Sequence, residues 1–75
     1  MSVEIFYCPV GGGYDRRAAR LAATLKTTGI DARIVEGAKS QFDVVADGEL
    51  LFSKESEGRF PEEHEILAAL AERAA

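Results

Sequence analysis

Apolar positions in the first half of the chain follow two different periods. The segment Val3–Cys8 is rich in β-branched and aromatic residues and ends at a proline, which is typical of a β-strand. The next apolar residues recur with the i, i+3, i+4, i+7 spacing of an amphipathic helix, at Ala18, Leu21, Ala22 and Leu25. Gly29 is a suitable helix stop, and Ile30–Val35 alternates as a second strand would. The first half therefore predicts strand, helix, strand.

The second half predicts a β-hairpin followed by a helix. Asp47-Gly48 separates the β-rich runs Phe42–Ala46 and Glu49–Ser53, and glycine tolerates the positive φ that a two-residue hairpin turn requires. Residues 54–59 form a polar connection. Pro61 suits the first position of a final helix. The buried stripe of that helix consists of Ile66, Leu67 and Leu70.

These elements predict a single α/β domain that covers residues 1–75. The first two strands are expected to be parallel because a helix joins them, and the hairpin adds antiparallel pairs. The resulting order is βαβββα with a mixed four-stranded sheet, which is a thioredoxin-like arrangement.

The hairpin also predicts an association surface, because both of its faces are apolar. With a two-residue turn, one face carries Phe42, Val44, Ala46 and Leu51, and the other carries Val45, Leu50 and Phe52. Two helices packed on one side would leave the other side uncovered, and exposed apolar patches mark association sites. We expect this face to bind a protein partner or a second copy of the chain, unless loops and tilted strands cover it.

Composition and charge narrow the range of functions. Hydrophobic residues make up 47% of the 75 residues and charged residues 29%, as in ordinary globular domains. The net charge of −4 leaves no basic stripe for a nucleic-acid backbone. A single cysteine allows no internal disulfide, no Cys/His cluster has metal-ligand spacing, and no apolar run approaches a membrane span. We expect a protein of the reducing cytoplasm with no metal, nucleic-acid or membrane partner.

Candidate chemistry lies between the first strand and the first helix, in the stretch Tyr7-Cys8-Pro9-Val10-Gly11-Gly12-Gly13-Tyr14. Cys8 is the predicted catalytic residue, because a thiolate there would be supported by the helix dipole and by Arg16 or Arg17. A lone thiol can form a mixed disulfide but cannot complete an intramolecular dithiol exchange. The alternative is a buried cysteine that only packs.

Other residues near this loop have competing interpretations. Three glycines before a helix could form an anion nest, but the sequence lacks the Lys-Ser/Thr of a phosphate-binding loop and the spaced glycines of a dinucleotide fingerprint. A flexible turn is the simpler interpretation. Tyr7 and Tyr14 flank the loop and either line a groove or pack. His64 lies among glutamates and is expected to be an exposed surface residue.

Three stretches make the chain resemble the selenoprotein W-like proteins of the SelT/SelW/SelH (Rdx) family. VEIFYCPV matches the first strand and the redox loop, RAARLAATL the following helix, and FDVVADGELLFSKESEGRFPEEHEILAAL the hairpin and last helix. The resemblance implies a thioredoxin-like fold and glutathione-linked oxidoreductase activity on a Cys-x-x-Cys or Cys-x-x-selenocysteine motif. Cys8 matches the first cysteine of that motif. Gly11 stands in place of the second, in a loop that is one residue longer.

Two functions are therefore predicted. In the first, the protein is a redox protein of this family that uses Cys8 as a single thiol, with glutathione as co-substrate and no bound cofactor. In the second, it is a non-catalytic protein-binding module that keeps the scaffold and its apolar sheet face. The reactivity of the thiol discriminates between them.

Overall fold

Four strands and three helices make up the chain in a computed structural model that describes residues 1–74. The elements are β1 (Val3–Tyr7), α1 (Tyr14–Thr27), β2 (Ala32–Glu36), β3 (Phe42–Ala46), β4 (Glu49–Ser53), α2 (Lys54–Glu57) and α3 (Glu63–Ala74). The predicted order of strands and long helices is confirmed. The predicted polar connection after β4 contains the additional four-residue helix α2.

The four strands form one mixed sheet in the order β2-β1-β3-β4. β1 pairs in parallel with β2 and antiparallel with β3, and β4 completes the antiparallel hairpin. β1 thus lies inside the sheet, and the loop that carries the candidate thiol follows its carboxyl end. The predicted α/β class with a mixed four-stranded sheet is confirmed.

Both long helices contribute to one core on one face of the sheet. The core consists of Val3, Ile5, Ala18, Leu21, Leu25, Phe42, Val44, Ala46, Phe52, Ile66 and Leu70. The apolar spacing predicted for α1 and α3 thus supplies their buried stripes. Within residues 1–74, no helix is long and apolar enough to cross a membrane.

The hairpin departs from the predicted assignment of residues to faces. Val44 pairs with Phe52 but Val45 pairs with Leu50, so the register shifts and Leu51 is the extra residue of a β-bulge. The shift places Phe52 on the core face, where it is buried, instead of on the opposite face. The prediction that Phe52 shares the face of Val45 was therefore wrong, whereas Leu51 is partly buried and packs against the core that contains Val44.

The hairpin turn and the end of α1 have the backbone conformations that their sequences predict. Asp47 and Gly48 both have positive φ, at 50° and 81°, as a type I′ turn requires. At the end of α1, the Gly29 N–H bonds to the Lys26 carbonyl and the Ile30 N–H to the Leu25 carbonyl. This is a Schellman motif, so Ile30 belongs to the helix end and the second strand begins at Ala32.

The last helix begins two residues later than Pro61 would predict. Glu65 in its first turn accepts a hydrogen bond from the Glu62 backbone N–H at 2.8 Å, as in a capping box. Glu65 also accepts two hydrogen bonds from the Arg59 guanidinium, at 2.6 and 3.1 Å. Together these bonds hold the segment between Arg59 and α3 against the helix start.

Replacement of Glu65 by Gln should lower the melting temperature at neutral pH, with a smaller effect in acid. The Arg59 hydrogen bonds first, and then the Glu62 N–H, lower the pKa of the Glu65 carboxyl from 4.5 to about 2. A lowered pKa means that the stabilisation is complete above pH 4.5 and is lost as the pH falls towards 2. Thermal unfolding of both proteins across this range checks the prediction.

Glu72→Gln is the matched control for that series, since it removes the same charge from the same helix. Within residues 1–74, Glu72 has no ion pair. Two outcomes would contradict the role of the Arg59–Glu65 pair. In one, the difference in melting temperature between wild type and Glu65→Gln stays constant down to pH 2. In the other, Glu72→Gln shows the same difference in melting temperature.

Candidate functional site

Cys8 lies one residue beyond β1, at the carboxyl end of an interior strand. Its backbone N–H bonds to the Gln41 carbonyl at 2.8 Å and so continues the pairing between β1 and β3. The side chain is only 2% exposed, yet it is not a member of the main core cluster. The backbone of Cys8 is therefore fixed by the sheet, while its sulfur is enclosed near the start of the loop.

The loop turns back over the sulfur. The Cys8 thiol donates a hydrogen bond to the Val10 carbonyl, with a sulfur–oxygen distance of 3.1 Å. The next side chains point away from this enclosure: Val10 is 66% exposed, and Pro9 is exposed as well. A substrate reaches the sulfur only if the Pro9–Val10 segment moves.

Gly11 has a backbone conformation that explains why glycine occupies this position. Its φ is 68°, in the left-handed region that an L-residue enters at a cost of about 1–2 kcal/mol. A Cβ added there would meet no atom within 4 Å, so the obstacle is the backbone angle rather than space. The backbone at position 11 is thus shaped for glycine in this loop.

Gly12 is restricted in a second way. Its φ is 65°, and an added Cβ would lie 2.7 Å from Cε1 of the Tyr14 ring. Tyr14 is the first residue of α1 and packs edge-on against Phe60, with 5.1 Å between ring centroids. The loop therefore lies close to an aromatic side chain that is already engaged by its neighbour.

A cavity of about 340 Å³ opens beside the loop, between α1 and the segment before α3. Its cationic wall consists of Arg16, Arg17 and Arg20. Phe60 and Pro61 contribute apolar surface, and Glu63 is the one carboxylate among the described residues that line it. The cavity thus combines three guanidinium groups with an apolar floor.

Phe60 connects the cavity to the rest of the site. Its ring contacts Phe42 edge-on, with 5.4 Å between centroids, and the Arg17 guanidinium lies 4.0 Å from its centroid. A cation over an aromatic face at this distance is an attractive contact. Arg17 is therefore held on the ring of Phe60, and sequence patterns gave no reason to place these two residues together.

The structure brings together some of the predicted site residues and separates others. Arg16 and Arg17 line the cavity together with Gly12 and Gly13, but within the described part of the chain the residues lining it do not include Cys8. The recorded partner of the thiol is the Val10 carbonyl. The support of a Cys8 thiolate by Arg16 or Arg17 stays a prediction.

The positions of Tyr7, Tyr14 and His64 agree with the simpler of the two interpretations of each residue. Tyr7 and Tyr14 are partly buried and pack against the core. The His64 side chain is 80% exposed, with a Glu62 carboxylate oxygen 3.4 Å from its Nδ1. Residues 1–74 contain no group of three His, Cys, Asp or Glu side chains that could hold a metal ion.

Comparison with known families settles the relationship of the chain. The sequence model of the Rdx family matches residues 2–72. The chain belongs to the Rdx family. A search of the curated proteins found no match. Membership confirms the resemblance carried by the strand, helix and hairpin stretches, and it identifies the protein as a thioredoxin-like member of a redox family.

Solved structures show the same fold for this Rdx protein. A selenoprotein W-related protein from Vibrio cholerae is 24% identical, with a TM-score of 0.76 over 84% of this chain and 82% of that chain. A protein from Bordetella parapertussis is also 24% identical, with a TM-score of 0.81 over 96% of this chain and 95% of that one. The similarity extends over almost the whole domain and confirms the thioredoxin-like prediction.

Introducing a second thiol at Gly11 should destabilise the domain without a steric clash. We expect Gly11→Cys and Gly11→Ala each to lower the free energy of unfolding by about 1–2 kcal/mol, because both place an L-residue at a positive φ. Gly11→Asn should cost less, since Asn tolerates this region. Gly12→Ala should cost more than Gly11→Ala, because its Cβ also meets the Tyr14 ring. Urea unfolding monitored by circular dichroism measures all four.

A Gly11→Cys variant as stable as the wild type, with a disulfide to Cys8 formed under mild oxidation, would contradict this account. That result would show that the loop accommodates a dithiol without strain.

Proposed function

We propose that this Rdx protein is a single-thiol redox protein in which Cys8 exchanges with glutathione disulfides. The observation that carries the proposal is the position of Cys8 in a member of this family: it follows an interior strand directly and precedes the loop that leads into α1. Ligand and catalytic sites of open α/β sheets collect at this end of the strands. Gly11 restricts the chemistry to one thiol.

The proposed reaction has two thiol–disulfide exchange steps. The Cys8 thiolate attacks the disulfide of a glutathionylated substrate, forms a Cys8–glutathione disulfide and releases the substrate thiolate, which takes up a proton. The thiolate of a second glutathione then attacks the glutathione sulfur of that mixed disulfide. It releases Cys8 and glutathione disulfide. In total, the mixed disulfide of the substrate is reduced to a thiol, one free glutathione thiol is oxidised, and one glutathione disulfide is formed.

Burial of the thiol implies a gate before the first step. Cys8 is 2% exposed and its thiol donates to the Val10 carbonyl, so we expect the reactive form to require the Pro9–Val10 segment to swing away. The three left-handed glycines that follow supply a hinge, since glycine changes its backbone angles at little cost. Exchange is therefore expected to be limited by loop opening rather than by the chemical step.

Incubation of the folded protein with glutathione disulfide should yield one glutathione adduct at Cys8. Intact-mass spectrometry measures the adduct, and the Cys8→Ser variant should give none. Added reduced glutathione should remove the adduct, as the second step requires. Alkylation by iodoacetamide should depend only weakly on pH in the folded protein and steeply in denaturant, because loop opening limits the folded reaction and attack by the thiolate limits the unfolded one.

The same reactions repeated in denaturant supply the internal control. If Cys8 forms the adduct only when unfolded, and the folded thiol stays unmodified after long incubation, the single-thiol mechanism is wrong. Cys8 would then be a packing residue.

The burial of Cys8 also favours a second candidate function, a non-catalytic binding module. On the sheet face opposite the two long helices, the strand registers place the apolar side chains of Phe6, Val35, Val45 and Leu50 beside the charged side chains of Glu4, Arg33 and Asp43. Leu50 is 54% exposed and lies on the edge strand β4. An uncovered face with exposed apolar side chains is the kind of surface on which proteins associate.

Self-association through this face should appear as an apparent mass that rises from one towards two chains with concentration. Multi-angle light scattering after size exclusion measures it. Leu50→Lys should keep the protein monomeric, because it replaces the most exposed apolar side chain of this face with a charge. Val10→Lys is the control, since Val10 is equally an exposed apolar residue but lies on the thiol loop. A wild-type protein that stays monomeric at every concentration would argue against self-association.

A further inference from the structure

The arginines of this protein divide into two groups that differ in their partners. Arg33, Arg59 and Arg73 each lie within 4 Å of a carboxylate oxygen of another element or segment. Within residues 1–74, Arg16, Arg17 and Arg20 form no such ion pair. These three are the arginines that line the cavity beside the loop. In a chain of net charge −4, the arginines without a carboxylate partner among the described residues thus all line this cavity.

The three arginines of α1 differ in their positions on the helix and in the contacts of their guanidinium groups. Arg16 and Arg20 are four residues apart on one helix, so their side chains are neighbours on the same face. Arg17 is occupied by its contact with Phe60, 4.0 Å from the ring centroid. Arg16 and Arg20 are left to contact a ligand. The planar fork of a guanidinium matches the two oxygens of a carboxylate.

The floor of the cavity is apolar. Leu21 and Phe42 are nearly fully buried beneath it, and Phe60 and Pro61 form its side. A volume of about 340 Å³ lies at the lower end of the range for small-molecule sites. Such a site selects ligands that present one anionic group to the arginines and an apolar body to the aromatic wall.

We propose that this cavity is a binding site for small organic carboxylates with an aromatic or branched apolar body. The carboxylate lies between Arg16 and Arg20, and the body packs on Phe60 and Pro61. Glu63 also lines the cavity. Its carboxylate repels the negative charge of the ligand and therefore lowers the affinity. The proposal does not depend on the reactivity of Cys8, which does not line this cavity among the described residues.

Titration of the 75-residue protein with sodium benzoate tests the site, with ionic strength held constant by chloride. In ¹H–¹⁵N correlation spectra we expect saturable shifts confined to residues 12–21 and 60–63. Acetate, which lacks the apolar body, should bind about tenfold or more weakly, since burial of an aromatic ring is worth roughly 1.5–3 kcal/mol. Benzylamine, which carries the same ring on a cation, should cause no saturable shift.

Single substitutions then separate a built site from general attraction of anions. Arg16→Gln and Arg20→Gln should each weaken benzoate binding about tenfold, because each removes a charge-assisted contact. Lys26→Gln, which removes the same charge from the last turn of the same helix, should leave the affinity within about twofold. Glu63→Gln should tighten binding severalfold, an increase that loss of folding cannot mimic.

The proposal would be overturned by shifts that do not saturate, by equal loss of affinity in Arg20→Gln and Lys26→Gln, or by weaker binding in Glu63→Gln. Benzylamine binding as tight as that of benzoate would overturn it too. Well-dispersed spectra of each variant show that the fold is retained. Because none of these measurements involves the thiol, their outcome is independent of the glutathione experiments.

Discussion

The geometry of the site depends on the contacts that the ring of Phe60 makes. It packs edge-on against Tyr14 at the start of α1 and against Phe42 in β3, and it carries the Arg17 guanidinium on its face. Phe60 itself lies in a segment without regular structure, which the Arg59–Glu65 pair ties to α3. The start of α1 and the sheet thus meet at the side chain of Phe60, in a segment that is tied to α3. Loss of that ring would both release Arg17 and remove one wall of the cavity.

Local patterns predicted most of the fold because most of its elements are locally determined. The Asp47-Gly48 turn depends on two positive φ angles, and the end of α1 depends on the hydrogen bonds around Gly29. The bulge at Leu51 was not predictable in this way. It inserts a residue into an apolar run that is equally acceptable in either register, and only the burial of Phe52 in the shared core selects the register observed.

The site was predicted less completely, for a related physical reason. Cys8 and the glycines after it are contiguous in sequence, so a strand-loop-helix pattern was enough to bring them together. Arg20 and Phe60 are 40 residues apart along the chain, and their meeting is a product of packing between α1 and the segment before α3. No local period signals such a pairing. The useful signal in retrospect is the spacing of Arg16 and Arg20 on one helix face.

The loop conformation bears on whether a second thiol fits at position 11. A cysteine there would have to adopt a φ of 68°, so this backbone favours the glycine that the sequence has. The three consecutive left-handed glycines lie between α1 and the Val10 carbonyl that accepts from the Cys8 thiol. A second thiol at position 11 therefore requires more than a changed side chain, because the backbone there would have to change as well. Gly12 and Gly13 also line the arginine-lined cavity, so the same loop connects the enclosed sulfur to that cavity.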